Sequence, residues 1–260
     1  MNGEIEVAAL QLVADPGELE SNRARFAALA RERCAGADLI VAPELTASGY
    51  DLDVIDRRGA ELAEPLDGPT VRLTATLASE LGATIVVGLL ERGGGDALYD
   101  TAAVVTPDGT ITGYRKSHLY PPETTRFRPG DGLLTLPTPA GRLGLAICFE
   151  HAFPEIATAL ALQGAQIIAI PSAVPFGYEH LLTLRSRARA QDNQLFVVAA
   201  NLTGNGFCGG SLIADPRGDV LAAAGTDETV IRARIDLDAI EREREREPAL
   251  RLRQPDLYRG

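Results

Sequence analysis

Two textures alternate along this chain, and their alternation limits the fold more than any other feature. The runs IEVAALQLV (5–13), DLIVAPE (38–44), TIVVGLLE (84–91), LYDTAAVVTP (98–107) and RLGLAIC (142–148) are apolar, rich in β-branched residues and bounded by turn formers. QIIAIPS (166–172), QLFVVAAN (194–201), GGSLIADP (209–216) and VIRARID (230–236) repeat the pattern, and all nine read as strands. Between several of them lie helical stretches: SNRARFAALARERCAG (21–36), GPTVRLTATLASELG (68–82), FPEIATALALQG (153–164) and EHLLTLRSRARAQDNQ (179–194). In the first, Ser21 is the expected N-cap and Gly36 lies near the stop. Near-continuous apolar strands alternating with helices predict sheets covered by helices, hence the α/β class.

An imperfect internal echo sharpens this. GADLIVAPE (36–44) and GAQIIAIPS (164–172) each follow a helix and end in Pro plus a polar residue. VVTPDGTIT (104–112) and LIADPRGDVLA (212–222) both look like hairpins that turn on Pro and Gly. Two similar halves predict two sheets packed face to face with helices outside. No low-complexity linker divides the halves, so a single domain over 1–260 is expected.

Composition excludes several partners. Acids outnumber bases by 36 to 25, a net charge of −11, which disfavours phosphate backbones and anionic lipid; nucleic acid and membrane are not expected partners. No apolar run approaches the roughly 20 residues of a spanning helix. The acidic start MNGEIEVAALQLVADPGE has no basic n-region, so it does not read as a secretory signal. Three cysteines without paired spacing point to a reducing compartment, and a cytoplasmic location is expected. With three histidines and neither CxxC nor HExxH, no protein-held metal is expected.

Three strand ends carry the chemistry. DLIVAPELTASGY places Glu44 just past a strand, TITGYRKSHLY places Lys116 at the end of a hairpin, and GRLGLAICFEHAFPE places Cys148 before a helix opening. Strand ends are where side chains converge in layered α/β folds. A thiol is only a few per cent thiolate at neutral pH and needs a base or a cation. A desolvated Glu44 suits proton transfer, and Lys116 suits stabilisation of a thiolate and of an oxyanion. Each residue taken alone also has an ordinary role: Cys148 as a buried filler, Lys116 on the surface, Glu44 at a turn. Cys34, on the apolar face of a helix, and Cys208 lack comparable surroundings.

Taken together, the segments APELTASGY, YRKSHLY and GLAICFEHAFPE resemble the nitrilase superfamily of carbon–nitrogen hydrolases. ETTRFRPGDG supplies Glu123 where that family carries a second glutamate, and the likeness continues through RARAQDNQLFVVAAN, GGSLIADPRGDVL and PDLY. The resemblance implies a four-layer αββα sandwich of two mixed sheets, commonly paired into a homodimer or higher homo-oligomer by extending a sheet. It implies Glu44 as base, Cys148 as nucleophile and Lys116 with the Phe149 N–H on the oxyanion. It also implies that Glu123 orients Lys116 and contacts the leaving group, and that no cofactor is needed. Superfamily members hydrolyse amides, N-carbamoyl compounds or nitriles. The compact length favours an amidase acting on a small aliphatic or amino-acid-like amide.

One departure is Cys148-Phe149-Glu150-His151, where many of the amidases read Cys-Tyr-Asp; the Glu-His pair is nearer to nitrilases. His151 either lines a pocket or packs at the helix start, and His118 is similarly open. Tyr50, Phe149, Val174 and Phe176 follow strand ends and are candidates for the pocket wall, although each also suits a core edge. Arg185, Arg187 and Arg189 cannot share one helical face, so one is expected in a buried salt bridge and the others in solvent, with Glu155 as an arginine partner. The tail 241–260 alternates Glu and Arg on a solvated helix. It then carries Leu250, Leu252, Leu257 and Tyr258, which have no evident local core and are expected at a subunit interface.

Overall fold

The computed structural model describes residues 3–258, and the side chain of Tyr258 lies outside the described set. The first half of the chain builds five strands of one six-stranded sheet, and the second half builds a second six-stranded sheet and the remaining strand of the first. Strands β1 (Glu4–Gln11), β2 (Leu39–Val41) and β3 (Thr84–Arg92) run parallel, while β4 (Leu98–Val105) and β5 (Ile111–Arg115) continue the sheet antiparallel. The second sheet begins with β6 (Thr135–Thr138), β7 (Gly141–Leu145) and β8 (Ile167–Ser172), then β9 (Phe196–Asn201). A short ladder, β10 (Thr203–Gly204) with β11 (Phe207–Cys208), leads to its closing hairpin of β12 (Leu212–Ala214) and β13 (Val220–Ala223). Finally β14 (Thr229–Asp236) returns to pair antiparallel with β1. The spatial orders are β14-β1-β2-β3-β4-β5 and β13-β12-β9-β8-β7-β6. The echo in the sequence is therefore structural: β2 matches β8 as a central strand, and both expected hairpins form.

Period-two burial assembles the layers. Val7 and Ala9 of β1, and Ile167 and Ala169 of β8, face the core shared by the two sheets. Their neighbours Ala8 and Leu10 face a core under α1 (Leu19–Arg33) and α3 (Pro69–Leu81). Ile168 and Ile170 face one under α4 (Pro154–Leu162) and α5 (Glu179–Asn193). Helix, sheet, sheet, helix is the expected αββα order. A further helix, α2 (Leu52–Leu62), flanks the first sheet beside the end of β2.

Two local expectations are corrected. Helix α1 starts at Leu19 rather than after Ser21, because Asp15–Glu18 already turn the chain: Glu18 donates its N–H to the Asp15 carbonyl and accepts from Asn22. In the tail, α6 (Asp238–Arg246) does carry local pairs such as Arg246–Glu243, but Leu250 packs on the core beneath α4 and α5. Leu252 and Leu257 are exposed.

Candidate active site

The first sheet delivers two charges to one point. Strand β2 stops at Val41, and Pro43, which has no N–H to donate, ends the ladder. The chain then bends sharply, with Leu45 at φ +46°, and buries Glu44 completely. The bend fits only because residue 88 of β3 is glycine. A Cβ there would meet the Pro43 carbonyl oxygen at 2.4 Å and the Glu44 Cα at 2.6 Å. Lys116 follows β5 and is also fully buried. Its Nζ donates to Glu44 Oε1 at 2.6 Å, Glu123 Oε1 at 2.9 Å and Asp100 Oδ2 at 3.1 Å. These three carboxylates lie close enough to resemble a metal cage, but the ammonium fills their centre.

Burial alone would push the Lys116 ammonium down, yet the carboxylates of Glu44, Asp100 and Glu123 outweigh it and hold its pKa well above the ordinary value. One ammonium does not balance three buried carboxylates. Burial accordingly raises Asp100 well above the usual carboxylate range against the pull of Lys116, and it raises Glu123 in the same sense. Asp100 Oδ1 and Glu44 Oε2 are both buried without a hydrogen-bond partner. Asp100 is the residue that sequence reasoning missed. Its signal was present: an acid in the middle of the apolar run LYDTAAVV must be paired when that strand is buried.

The second sheet supplies the thiol. Beyond β7 the chain runs to Ile147, and Cys148 opens a 3-10 turn, Cys148–Ala152, with φ +43°. A positive φ at a non-glycine residue is strained and persists only where its surroundings enforce it. Here the enforcing group is Glu150. Its Oε2 accepts the Ile147 N–H at 2.7 Å. Its Oε1 accepts from the Tyr114 hydroxyl, Ser117 N–H, Ser117 hydroxyl and His118 N–H at 2.8, 2.8, 2.6 and 3.1 Å. Glu150 therefore ties the cysteine turn to the lysine turn. Burial, then the charge of Glu44, raises the Cys148 thiol well above its ordinary value despite Lys116, so the resting group is a thiol. The Phe149 N–H stands among the first donors of the turn, which have no acceptor within a helix.

Cys148, Glu123, Tyr50, Phe149, His151 and Val174 line one cavity of about 390 Å³, within the range of small-molecule sites. Tyr50 donates its hydroxyl to Glu123 Oε1 at 2.6 Å. Asn201 holds the Val174 loop by accepting the Val174 N–H at 2.7 Å. Two expected wall residues lie elsewhere. His118 is turned outward against the Phe153 ring and faces a neighbouring depression. Phe176 is exposed because its loop is pinned outward by a Phe176 N–H to Gly206 carbonyl bond. Glu155 is exposed at the start of α4 rather than buried against an arginine. Arg189 is the mostly buried arginine of α5, paired with Asp192 at 3.5 Å, and Arg187 donates to the Gly218 carbonyl. Arg185 is in neither a buried salt bridge nor open solvent, the two places expected for these arginines, and lines the cavity.

Residues 6–245 match the family pattern described as carbon-nitrogen hydrolase. This chain belongs to the carbon–nitrogen hydrolase family. It is 36% identical over 245 residues to an (R)-stereoselective amidase of Pseudomonas sp, covering 91% of this chain and 86% of that protein. It is equally identical, over 248 residues, to a nitrilase of Pyrococcus abyssi, covering 92% and 93%. A nitrilase-superfamily protein of Saccharomyces cerevisiae has the same fold, with a TM-score of 0.86 at 30% identity over 97% of this chain and 96% of that one. The carbon–nitrogen hydrolase thus has its family's αββα frame. Its most charged buried cluster stands beside its most accessible cysteine, since Cys34 and Cys208 are buried.

Proposed function

We propose that this carbon–nitrogen hydrolase is an amidase releasing ammonia from a small amide through a Cys148 thioester. The observation that carries this reading is the Lys116 ammonium held between Glu44 and Glu123 and acting with Glu44 on the charge of Cys148, with Glu123 and Cys148 in the wall of one cavity. Glu44 takes the thiol proton as sulfur attacks the amide carbon, and Lys116 with the Phe149 N–H stabilises the oxyanion. The carbon–nitrogen bond breaks as Glu44 returns the proton to nitrogen, and ammonia leaves. Water then attacks the thioester, giving its proton to Glu44; the carbon–sulfur bond breaks and the thiol is restored as the acid departs. Glu123 holds Lys116 and Tyr50 and faces the leaving group.

The nitrilase relative supports a second reading in which the same thiol attacks a nitrile, and N-carbamoyl compounds remain in the same class. Ammonia release from matched panels of amides, nitriles and N-carbamoyl compounds separates them. Cys148→Ala should abolish turnover and the acyl adduct seen by intact mass; persistent turnover in this variant would sink the mechanism.

We further infer one domain over 1–260, a cytoplasmic location and a homo-oligomer. Unpaired cysteines support the second. The exposed Leu162 on α4, Leu184 on α5 and Leu252 and Leu257 in the tail support the third, testable by light scattering on the intact chain. Among the described residues, no helix is long and apolar enough to cross a membrane.

A further inference from the structure

The oxygens of the three carboxylates around Lys116 can be matched one by one to their donors. Glu123 is fully engaged: Oε1 accepts from Lys116 Nζ and the Tyr50 hydroxyl, and Oε2 accepts the Tyr120 N–H at 2.7 Å. Glu44 Oε1 and Asp100 Oδ2 accept from Lys116 at 2.6 and 3.1 Å. Glu44 Oε2 and Asp100 Oδ1 remain, each buried and without a donor among the described residues. An oxygen of each carboxylate lies within 4.8 Å of one on both others, and the side chains of Glu44 and Asp100 are in hydrogen-bond reach of each other. Two carboxyl groups bond in this way only when one of them carries a proton. The charges agree. Lys116 is the cation beside this pair, and the other titratable groups facing it, the Tyr50 hydroxyl and the Cys148 thiol, are held uncharged by burial. Of the two carboxyl groups, Asp100 has the longer bond to the ammonium. Burial raises it well above the usual carboxylate range, and against the pull of Lys116 the charge and the contact of Glu44 raise it further.

We propose that Asp100 is a neutral carboxylic acid in the working enzyme and donates a hydrogen bond to the Glu44 carboxylate, as a positioning residue that holds Glu44 as the anion. The inference rests on the amidase reading above for what Glu44 does, and on the hydrogen-bond pattern for where the proton sits. Two negative charges then surround one ammonium instead of three, which lessens the penalty of burying the cluster. Glu44 is held by Lys116 and by an acid together, so its carboxylate is fixed before substrate arrives and is ready to accept the thiol proton. An ionised Asp100 would act in the opposite direction. Its charge would favour a proton on Glu44, and it would compete for the ammonium that the oxyanion needs.

Infrared difference spectroscopy reads this proton without any substrate. Wild-type protein with its aspartates 13C-labelled at the side-chain carboxyl, minus unlabelled protein, should show at neutral pH the carbonyl stretch of a protonated carboxyl group, moved by the label and moved again in D2O. The band should be missing from Asp100→Asn. Absence of a protonated carboxyl, or a band that the aspartate label leaves in place, would overturn the proposal, the second by putting the proton on a glutamate. Because the labelled wild type suffices, a variant that fails to fold does not block the answer. The pH profile gives a second reading. Removing a charged Asp100 would carry the acid limb of kcat/KM to lower pH by more than about one unit, the effect of a like charge close by. Replacing a neutral acid by asparagine should leave that limb in place, and a displacement of that size would overturn the proposal. Absence of ammonia release from every amide tried would overturn the amidase reading alone, since the infrared band is recorded without turnover and still decides whether Asp100 holds the proton.

Discussion

Glu150 Oε1 accepts the Ser117 N–H at 2.8 Å, so the residue two after the thiol is bonded to the residue one after the lysine. Two strand ends from different sheets thereby share one buried carboxylate. That bond fixes the distance between Cys148 and Lys116 more directly than either sheet does. In the proposed mechanism Glu150 acts through the geometry of its neighbours, as a positioning residue.

Glu150→Gln replaces one acceptor oxygen by an NH2 group that must oppose donors from Ser117, His118, Tyr114 or Ile147. The change should destabilise the protein by about 1–3 kcal/mol, the usual cost of a buried polar group left unsatisfied. It should also lower kcat more than it raises KM, because the proposed oxyanion donors are displaced while the wall of the cavity stays. Urea denaturation with steady-state kinetics on the same samples would show both. Unaltered kcat in a destabilised variant would reduce Glu150 to a role in folding alone.

Gly88→Ala forces a methyl group onto the Pro43–Glu44 backbone, where contacts at 2.4–2.6 Å leave no room. Overpacking of this kind costs about 1–3 kcal/mol. The carbonyl that must move is next to the proposed base, so activity should fall by at least tenfold in the fraction that remains folded. Circular dichroism at 25 °C alongside ammonia release would establish it; full specific activity would mean that Glu44 tolerates the shift.

Asp100 is raised by burial toward its protonated form, in which it offers one carbonyl oxygen and one donor, as asparagine does. Asp100→Asn should therefore retain kcat within about tenfold. Asp100→Leu removes an acceptor of a buried ammonium and should lower kcat at least about a hundredfold, in line with leaving a buried charged donor short of a partner. Asn proving as harmful as Leu would show that Asp100 works as an anion.

His151 links stability to acidity with a definite sign. An unfolded histidine takes up a proton below about pH 6.5. In the fold, with burial and Arg185, Arg189 and Lys116 around it, His151 stays neutral until about pH 3. Between these values the unfolded chain binds more protons, so stability falls as pH drops from 6.5 toward 3. In His151→Leu the decline of stability from pH 6.5 to 4 should be shallower, by up to one proton in slope. Parallel urea titrations at several pH values would measure it, and identical slopes would show that His151 is not shielded from solvent.

The layered architecture was legible because it depends on periodicity, and the apolar runs place every second residue toward a core. Glu44, Lys116 and Cys148 were legible as strand-end residues in motifs with a known order. Other features were hidden because they depend on distance in space. Nothing in TITGYRKSHLY says that its Ser117 and Tyr114 bond a glutamate 33 and 36 residues on. A loop after a strand end makes Phe176 a candidate for the wall, and the sequence leaves His118 open, but loop direction decides exposure, and that is set by the Phe153 ring and the Gly206 carbonyl. The place of Arg185 was hidden too, since helical spacing excludes a shared face for Arg185, Arg187 and Arg189 without saying which of them turns inward.

The groups proposed to react ride on strand ends braced by Glu150 and Gly88, whereas Leu181 and Arg185 hang from α5 with Tyr178 at its N-cap. Selectivity and chemistry are in this sense separately heritable. A handful of substitutions along that segment can retune what the enzyme accepts while the braced frame stays untouched, which makes α5 a compact mutational target for lineage or laboratory alike.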